Sequence, residues 1–290
     1  NDGFSISHKF PFLYTDSEVS ANIRSMALLQ LQMGDYLIAS KPDLLLVVGD
    51  RFELLSVVTA ALMLGVPIAH ISGGDVTEGT IDNQIRHAIS KMSHIHFTGT
   101  ENSRNNLLRM GEEDWRVINT GEPGIDCILE ITTLKKDDLY LELGLDLSKK
   151  TVISTFHPET ISNKIDSDFI KKLFNNLFVE FPDYQFLVTS SNFDSGGNEI
   201  NETFIELAIN NKNLVFIKSL GQKKYYSILE YADFMLGNSS SGIIEAQSFD
   251  LAVVNIGNRQ KGRERNLNTI DVEVSINKII EASLLATNYE

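Results

Sequence analysis

The chain has 290 residues, enough for two domains at roughly 150 residues each, and its 42% hydrophobic and 22% charged residues describe a folded protein with a sizeable core. Lys+Arg number 25 against 39 Asp+Glu, a net charge of −14 that excludes nucleic acid and anionic membrane as main partners, since both require a basic footprint. A single cysteine, Cys127, excludes an internal disulfide and fits a reducing cytoplasm, and no apolar run approaches the ~18 residues of a membrane span. The start, Asn1-Asp2-Gly3-Phe4, has neither an initiator Met nor a signal-peptide pattern and reads as a trimmed product.

The first element read along the chain is the apolar run over 43–50, the continuous pattern of a strand buried in a parallel sheet. A helical period follows over 52–64, closed by Gly65 as a C-terminal cap. Next come a strand over 66–71, the pair Gly73-Gly74, a helix over 82–92, a strand over 95–97, a helix over 102–110 and a strand over 115–119. The stretch 131–150 is charged and leucine-rich and reads as a short helix and linker. The alternation then restarts, with strands over 151–156, 185–189, 214–217, 234–237 and 252–255, and helices over 168–181, 201–210, 225–231 and 242–248. Alternating strands and helices are the βαβ signature of parallel sheets covered on both faces. The pattern predicts two Rossmann-like α/β domains, 1–135 and 136–290, with a ligand cleft between them.

In such sheets chemistry gathers at the carboxyl ends of the strands, and four polar clusters fall there. The first is Gly49-Asp50-Arg51-Phe52-Glu53. Asp50 opens a helix and suits an N-cap, but it also suits a reacting carboxylate, and the pattern leaves both open. The second runs from His70-Ile71-Ser72-Gly73-Gly74-Asp75 to Ile81-Asp82-Asn83-Gln84-Ile85-Arg86-His87. Asp82 and Arg86 lie one helical turn apart, the spacing of a surface ion pair. If Asp50, Asp75 and Asp82 instead share one pocket, their crowding creates a proton-transfer group. The third is Phe156-His157-Pro158-Glu159-Thr160, where His157 is either structural or a phosphate and proton contact. The remaining histidines, His8, His87, His94 and His96, read as structural.

The fourth cluster is Gly237-Asn238-Ser239-Ser240-Ser241-Gly242, with Glu245 one turn on. Small hydroxyl residues and Gly before a helix expose N–H groups to an anion, and Glu245 is placed to accept ribose hydroxyl hydrogen bonds. Farther on, Arg259, Lys261, Arg263 and Arg265 put four cations into seven residues of an acidic protein. Such a run is either a solvated face or a diphosphate clamp in arginine's fork geometry. The chain lacks both G-x-G-x-x-G and G-x-x-x-x-G-K-[ST], and no clustered His/Cys spacing supports a metal. No cofactor and no metal are expected.

Taken in order, these motifs, with Asn255-Ile256-Gly257-Asn258-Arg259-Gln260-Lys261-Gly262-Arg263, resemble the hydrolysing UDP-N-acetylglucosamine 2-epimerases of sialic-acid biosynthesis and their relatives in legionaminic-acid biosynthesis. The resemblance implies the glycosyltransferase-B arrangement of two Rossmann-like domains, a UDP-sugar substrate and a homodimer or homotetramer. The implied chemistry eliminates UDP across C1 and C2 to a 2-acetamidoglycal, then hydrates it to a free manno-configured sugar. Under that resemblance Asp50, Asp82 and His157 match catalytic positions, with Asp75 a further catalytic carboxylate. Arg51, Ser239, Ser240, Ser241, Gly242, Arg259 and Arg263 fall on the substrate and phosphates, Glu245 on the ribose, and Asn192 and Asp194 on the nucleotide side. Two departures stand out. Many members carry Glu where this chain has Ser72, and the family's first strand has no equivalent before Asp43, so the amino-terminal domain is expected to be incomplete.

UDP-N-acetylglucosamine is the first expectation for the substrate and UDP-N,N′-diacetylbacillosamine the alternative. From other classes, a retaining UDP-sugar glycosyltransferase would use the same serine loop and basic cluster without exchanging the C2 hydrogen. An inactive UDP-sugar-binding module would bind UDP without turnover.

Overall fold

The computed structural model describes residues 5–14, 19–77, 81–158, 165–191 and 196–289. Two compact units divide the chain, one formed by 1–76 with 81–122 and the other by 123–290 with 77–80.

The first unit is built on helix α1 (Val19–Ser40) and four strands, β1 (Leu45–Val48), β2 (Ile68–Ile71), β3 (Ile95–Thr98) and β4 (Val117–Asn119), paired in that order and all parallel. Helices α2 (Leu54–Met63), α3 (Asp82–Met92) and α4 (Glu101–Arg109) make the crossovers. Nothing in the sequence pattern marks α1. Its buried face is nonetheless regular: Ala21, Ser25, Leu29, Met33 and Leu37 recur every fourth residue, while Ile23, Leu31 and Ile38 are exposed on other faces and blur the period. Ser56 on α2 donates to the Met26 carbonyl at 2.9 Å and ties α2 to α1. Met33, Leu37, Val47, Val58, Ile68, Ile85 and Ile89 form the core. The strand expected over 115–119 is shorter, because 114–116 forms a 3₁₀ turn before β4.

The second unit opens with α5 (Pro123–Glu130) and α6 (Lys136–Leu143). Its strands are β5 (Lys150–Thr155), β6 (Tyr184–Thr189), β7 (Leu214–Ile217), β8 (Phe234–Gly237), β9 (Ala252–Ile256) and β10 (Thr269–Val272). Helices α7 (Ser167–Glu180), α8 (Gly197–Asn210), α9 (Gly221–Tyr231), α10 (Ser241–Ile244) and α11 (Ile276–Ala286) complete it. The parallel sheet runs β10-β9-β8-β5-β6-β7, so the strand order reverses between β5 and β8. Neighbouring residues alternate between two apolar layers. Val152, Phe186, Leu236 and Val254 face one with Phe156, Phe174 and Phe204, while Ile153, Leu187, Met235 and Val253 face the other with Leu139 and Ile228. Burial on both faces is why these strands read as unbroken apolar runs.

The expected boundary at 135/136 is displaced to 122/123. Cys127, Ile128, Ile131 and Leu134 pack on the second unit's core, and the Leu134 backbone bonds to Ser227 and Tyr231, each at 2.9 Å, so the stretch read as a linker is part of that unit. The helix expected over 242–248 is also corrected, to the four-residue α10 and a 3₁₀ turn over Ala246–Phe249. Both β10 and α11 lie beyond the last element read from sequence.

Candidate active site

In the first unit, the turns leaving β1 and β2 bring their carboxylates to one buried cation. Arg86, on α3 and 3% exposed, donates to Asp50 and stands 3.6 Å from the Asp75 carboxylate. The surface ion pair expected for Arg86 is therefore corrected: its guanidinium is buried and faces two carboxylates from other loops. Ser103 on α4 donates to Asp75 at 2.5 Å and stands 3.0 Å from the Thr100 hydroxyl, which caps α4 by accepting from the Ser103 amide. Asp75 is thus held from two sides. Gly74 makes this approach possible, since at φ +82 a Cβ there would lie 2.2 Å from the Ser103 carbonyl. Asp82 is half-buried in the first turn of α3, one turn before Arg86. Arg51 donates to Glu53 at 3.4 Å and lies over the Phe52 ring, so its head stays in the turn after β1.

His70, outside the residues singled out from sequence, supports this edge. Its Nε2 donates to the Gly49 carbonyl at 2.9 Å, so Nδ1 accepts from Ser90 at 3.1 Å. Burial drives its pKa down to about 4, and the imidazole is neutral at physiological pH. Between about pH 4 and the unperturbed 6.5, the unfolded chain binds a proton that the folded chain refuses, so stability rises with pH through this window. Acidification from pH 7 to 4 is expected to remove about 3 kcal/mol through this group. Urea denaturation across that range checks it, and His70→Gln should flatten the slope; a wild-type slope in the variant would remove His70 as the cause.

His96 belongs to a separate buried network. It lies 3.1 Å from Glu112, which is 1% exposed and also meets Lys91 at 2.5 Å and Arg116 at 2.7 Å. Burial pushes the Glu112 carboxyl up, but Lys91, His96 and Arg116 together hold it below its usual range. This network ties α3, β3 and the turn before β4, and His96 is structural here.

In the second unit the order reversal between β5 and β8 places His157 and Asn238 side by side. Asn238, fully buried, accepts from the His157 amide at 2.7 Å and donates to the His157 carbonyl at 2.8 Å. Its own carbonyl accepts from Arg259 at 3.2 Å and Gln260 at 2.9 Å. The Ser191 hydroxyl is 3.5 Å from His157 Nδ1. Gly237 must be glycine, because at φ +148 a Cβ would lie 2.1 Å from the Thr155 carbonyl. Arg259, expected on phosphate, is buried with its guanidinium on the Asn238 carbonyl. Arg265 is engaged with Asp271 at 2.9 Å. Arg263 is half-buried between them.

The serine loop leads into α10. The Ser241 amide donates to Ser239 Oγ at 3.4 Å, the Ser240 carbonyl accepts the amides of Ile243 and Ile244, and the Tyr225 hydroxyl donates to Ser241 at 2.6 Å. Gly242 has a packing reason: a Cβ would lie 2.8 Å from Val253, so only glycine lets α10 sit this close to the sheet. Glu245 lines a cavity of about 340 Å³ at the carboxyl ends of β6 and β7, with Thr189, Ser190, Lys218, Ser219, Gln222, Tyr225 and Tyr226. Tyr226 donates to Glu245 at 3.3 Å, and burial keeps both tyrosines protonated by raising their pKa values. These cavity residues were missed in the sequence. The available signal was the polar Lys218-Ser219 step directly after a strand, but nothing there clusters charge. Glu159, Thr160, Asn192 and Asp194 lie outside the described residues. No group of three or more His, Cys, Asp and Glu placed to hold a metal ion, and no helix long and apolar enough to cross a membrane, occurs among the described residues.

Two parallel α/β units, with polar clusters at the carboxyl edges of both sheets, define a nucleotide-sugar enzyme of the glycosyltransferase-B-like fold. The chain belongs to the UDP-N-acetylglucosamine 2-epimerase family, whose family model matches residues 1–289. It is 38% identical over 273 residues to the Campylobacter jejuni GDP/UDP-N,N′-diacetylbacillosamine 2-epimerase (hydrolyzing), covering 94% of this chain and 71% of that protein. With the Legionella pneumophila UDP-N,N′-diacetylbacillosamine 2-epimerase (hydrolyzing) it shares 37% over 289 residues, 99% of this chain and 75% of the other. In fold it matches the Neisseria meningitidis UDP-GlcNAc 2-epimerase bound to UDP-GlcNAc, with a TM-score of 0.79 at 21% identity over 96% of this chain and 76% of that one.

Proposed function

We propose that this chain is a hydrolysing UDP-sugar 2-epimerase whose substrate is UDP-N,N′-diacetylbacillosamine. The observation that carries the chemistry is the Asp50–Arg86–Asp75 cluster, with Asp82 one turn before Arg86. The choice of sugar is supported by the two relatives above one-third identity, both named for the diacetylated sugar. UDP-N-acetylglucosamine, the first expectation from sequence, becomes the second reading.

The reaction asks for two steps. A carboxylate removes the C2 proton while the C1–O bond breaks and UDP leaves with the bonding pair, giving the glycal. Water then adds, its hydroxyl to C1 and a proton to C2 from the opposite face, giving the free manno-configured sugar. Removing a weakly acidic C–H requires a positioned base, and returning the proton requires an acid. Asp50, Asp75 and Asp82 are the proposed proton-transfer groups, with His157 at the leaving phosphate. Ser239, Ser240, Ser241 and Arg263 are proposed to hold phosphate, aided by Arg51, Asn192 and Asp194, with Glu245 on the ribose. Arg259 and Gly242 act by shaping that loop. The oligomer in this reading is a homodimer or homotetramer of the cytoplasm.

Proton NMR in D₂O with both UDP-sugars tests this. The expected result is free UDP and a manno-configured 2,4-diacetamido-2,4,6-trideoxy sugar deuterated at C2. Conversion of UDP-N-acetylglucosamine alone would reverse the order of substrates, and UDP bound with neither sugar changed would leave a binding module. Asp82→Asn should lower turnover about a hundred- to ten-thousandfold while leaving UDP affinity nearly intact; retained turnover would free Asp82 of its role.

A further inference from the structure

The loop after β2 carries Ser72 where other members of the family carry a carboxylate, yet a carboxylate stands there. Glu122 reaches it from the loop after β4. The ladder between β3 and β4 continues one residue past the strand, with the Thr120 amide on the Thr98 carbonyl at 3.0 Å. Gly121, at φ +79, then turns the chain back over the sheet edge. The side chain of Glu122 crosses the end of β3 above Gly99, where a Cβ would lie 1.9 Å from Oε1, and there the Ser72 hydroxyl donates to Oε2 at 3.3 Å. Ser72 itself is held in the left-handed region at φ +61, with its amide on the Phe97 carbonyl at 2.8 Å. Three strand ends therefore converge on one half-buried carboxylate.

We propose that Glu122 is a substrate-contacting residue that accepts a hydrogen bond from a hydroxyl or acetamido N–H of the sugar. The inference rests on the UDP-sugar reading above and adds to it a residue from a fourth loop. A carboxylate offers about four acceptor sites, so the Ser72 hydroxyl leaves capacity for a ligand donor. A merely structural bridge to Ser72 needs an acceptor but no charge. A charged group here, on the same sheet edge as Asp50 and Asp75, adds like-charge repulsion that a structural bridge would avoid. Sugars present several donors, and a charge-assisted bond to one of them gives both affinity and orientation.

Glu122→Gln separates the two roles, because glutamine still accepts from Ser72 while losing the charge. Steady-state kinetics with both UDP-sugars, UDP inhibition and melting temperature are measured on the full chain. The expected result is a kcat/KM lower by about ten- to a hundredfold, with UDP inhibition within about twofold and an unchanged melting temperature. Gly99→Ala, whose methyl displaces the same carboxylate, should lower kcat/KM in the same way, and combining the two should add little. Wild-type kcat/KM in Glu122→Gln or in Gly99→Ala overturns the proposal. If the wild-type protein converts neither sugar, the failure belongs to the proposed function and not to Glu122.

Discussion

Arg86→Met is expected to be the most damaging single substitution in the first unit. It removes a guanidinium that is 3% exposed and faces Asp50 and Asp75 together, leaving two carboxylates without the cation between them. Breaking a buried ion pair from one side costs about 3–5 kcal/mol, far more than the loss of an exposed pair, because the desolvated partner charge stays behind. Chemical denaturation should show that loss directly. Turnover should fall about a hundred- to a thousandfold or more, since the electrostatic frame around the carboxylates goes with the cation. Arg86→Lys separates charge from geometry: it restores one positive charge, but a point ammonium cannot present the planar fork that meets both partners. Its stability should be partly recovered and its turnover much less so. If Arg86→Met unfolds at the wild-type urea concentration, the cluster is solvated in solution and the assignment of its carboxylates loses its physical basis.

The second sheet was the more legible half of the fold. Strands such as β6 and β8 are buried on both faces, which leaves a continuous apolar run that turns alone can bound. Helix α3 was equally clear, and its observed bounds match those expected, because Ile85 and Ile89 face the core while polar residues fill much of the remaining surface. Helix α1 was invisible for the opposite reason. Its stripe at every fourth residue includes Ser25, and Ile23, Leu31 and Ile38 put apolar residues where solvent should be. The boundary error has a similar origin. Cys127, Ile128 and Leu134 look like sparse apolar residues in a charged stretch until the surface that receives them is known.

At the candidate site, sequence pattern marked which loops mattered better than it marked the partners. Asp50, Asp75 and Asp82 stood out because polar residues follow apolar strands at the edge where such folds bind ligands. The pattern offered Arg86 only a neighbour on its own helix, whereas its Asp50 partner lies 36 residues away and arrives through parallel pairing of β1 with β2. Glu122 was hidden for the same reason, its Ser72 contact spanning 50 residues and depending on an absent side chain at Gly99. Arg259 shows the converse. A cation in a basic run reads as a phosphate ligand, but its guanidinium shares the Asn238 carbonyl with Gln260 and builds the loop from beneath.

Asn238→Asp is expected to be the most costly conservative change in the second unit, although it exchanges a single NH₂ for an oxygen. The side chain is fully buried and holds both backbone groups of His157, accepting at 2.7 Å and donating at 2.8 Å. Aspartate keeps the first bond, loses the second, and sets a buried anion against the His157 carbonyl. The combined loss should reach about 3 kcal/mol or more, from an unmade hydrogen bond and an unpaired buried charge. Asn238→Ala loses both bonds but introduces no charge, so at neutral pH it should be the milder variant. The pH dependence makes the distinction sharper. A buried aspartate restores its donor by taking up a proton, so the Asp variant should regain stability relative to wild type as pH falls, opposite in sign to the loss that His70 imposes. UDP affinity should fall in both variants if the β5–β8 switch point holds the nucleotide, because the serine loop and the His157 turn are joined through this one amide. An Asp variant as stable as wild type at pH 7 would mean that packing, and not the polar bridge, holds the two strand ends together.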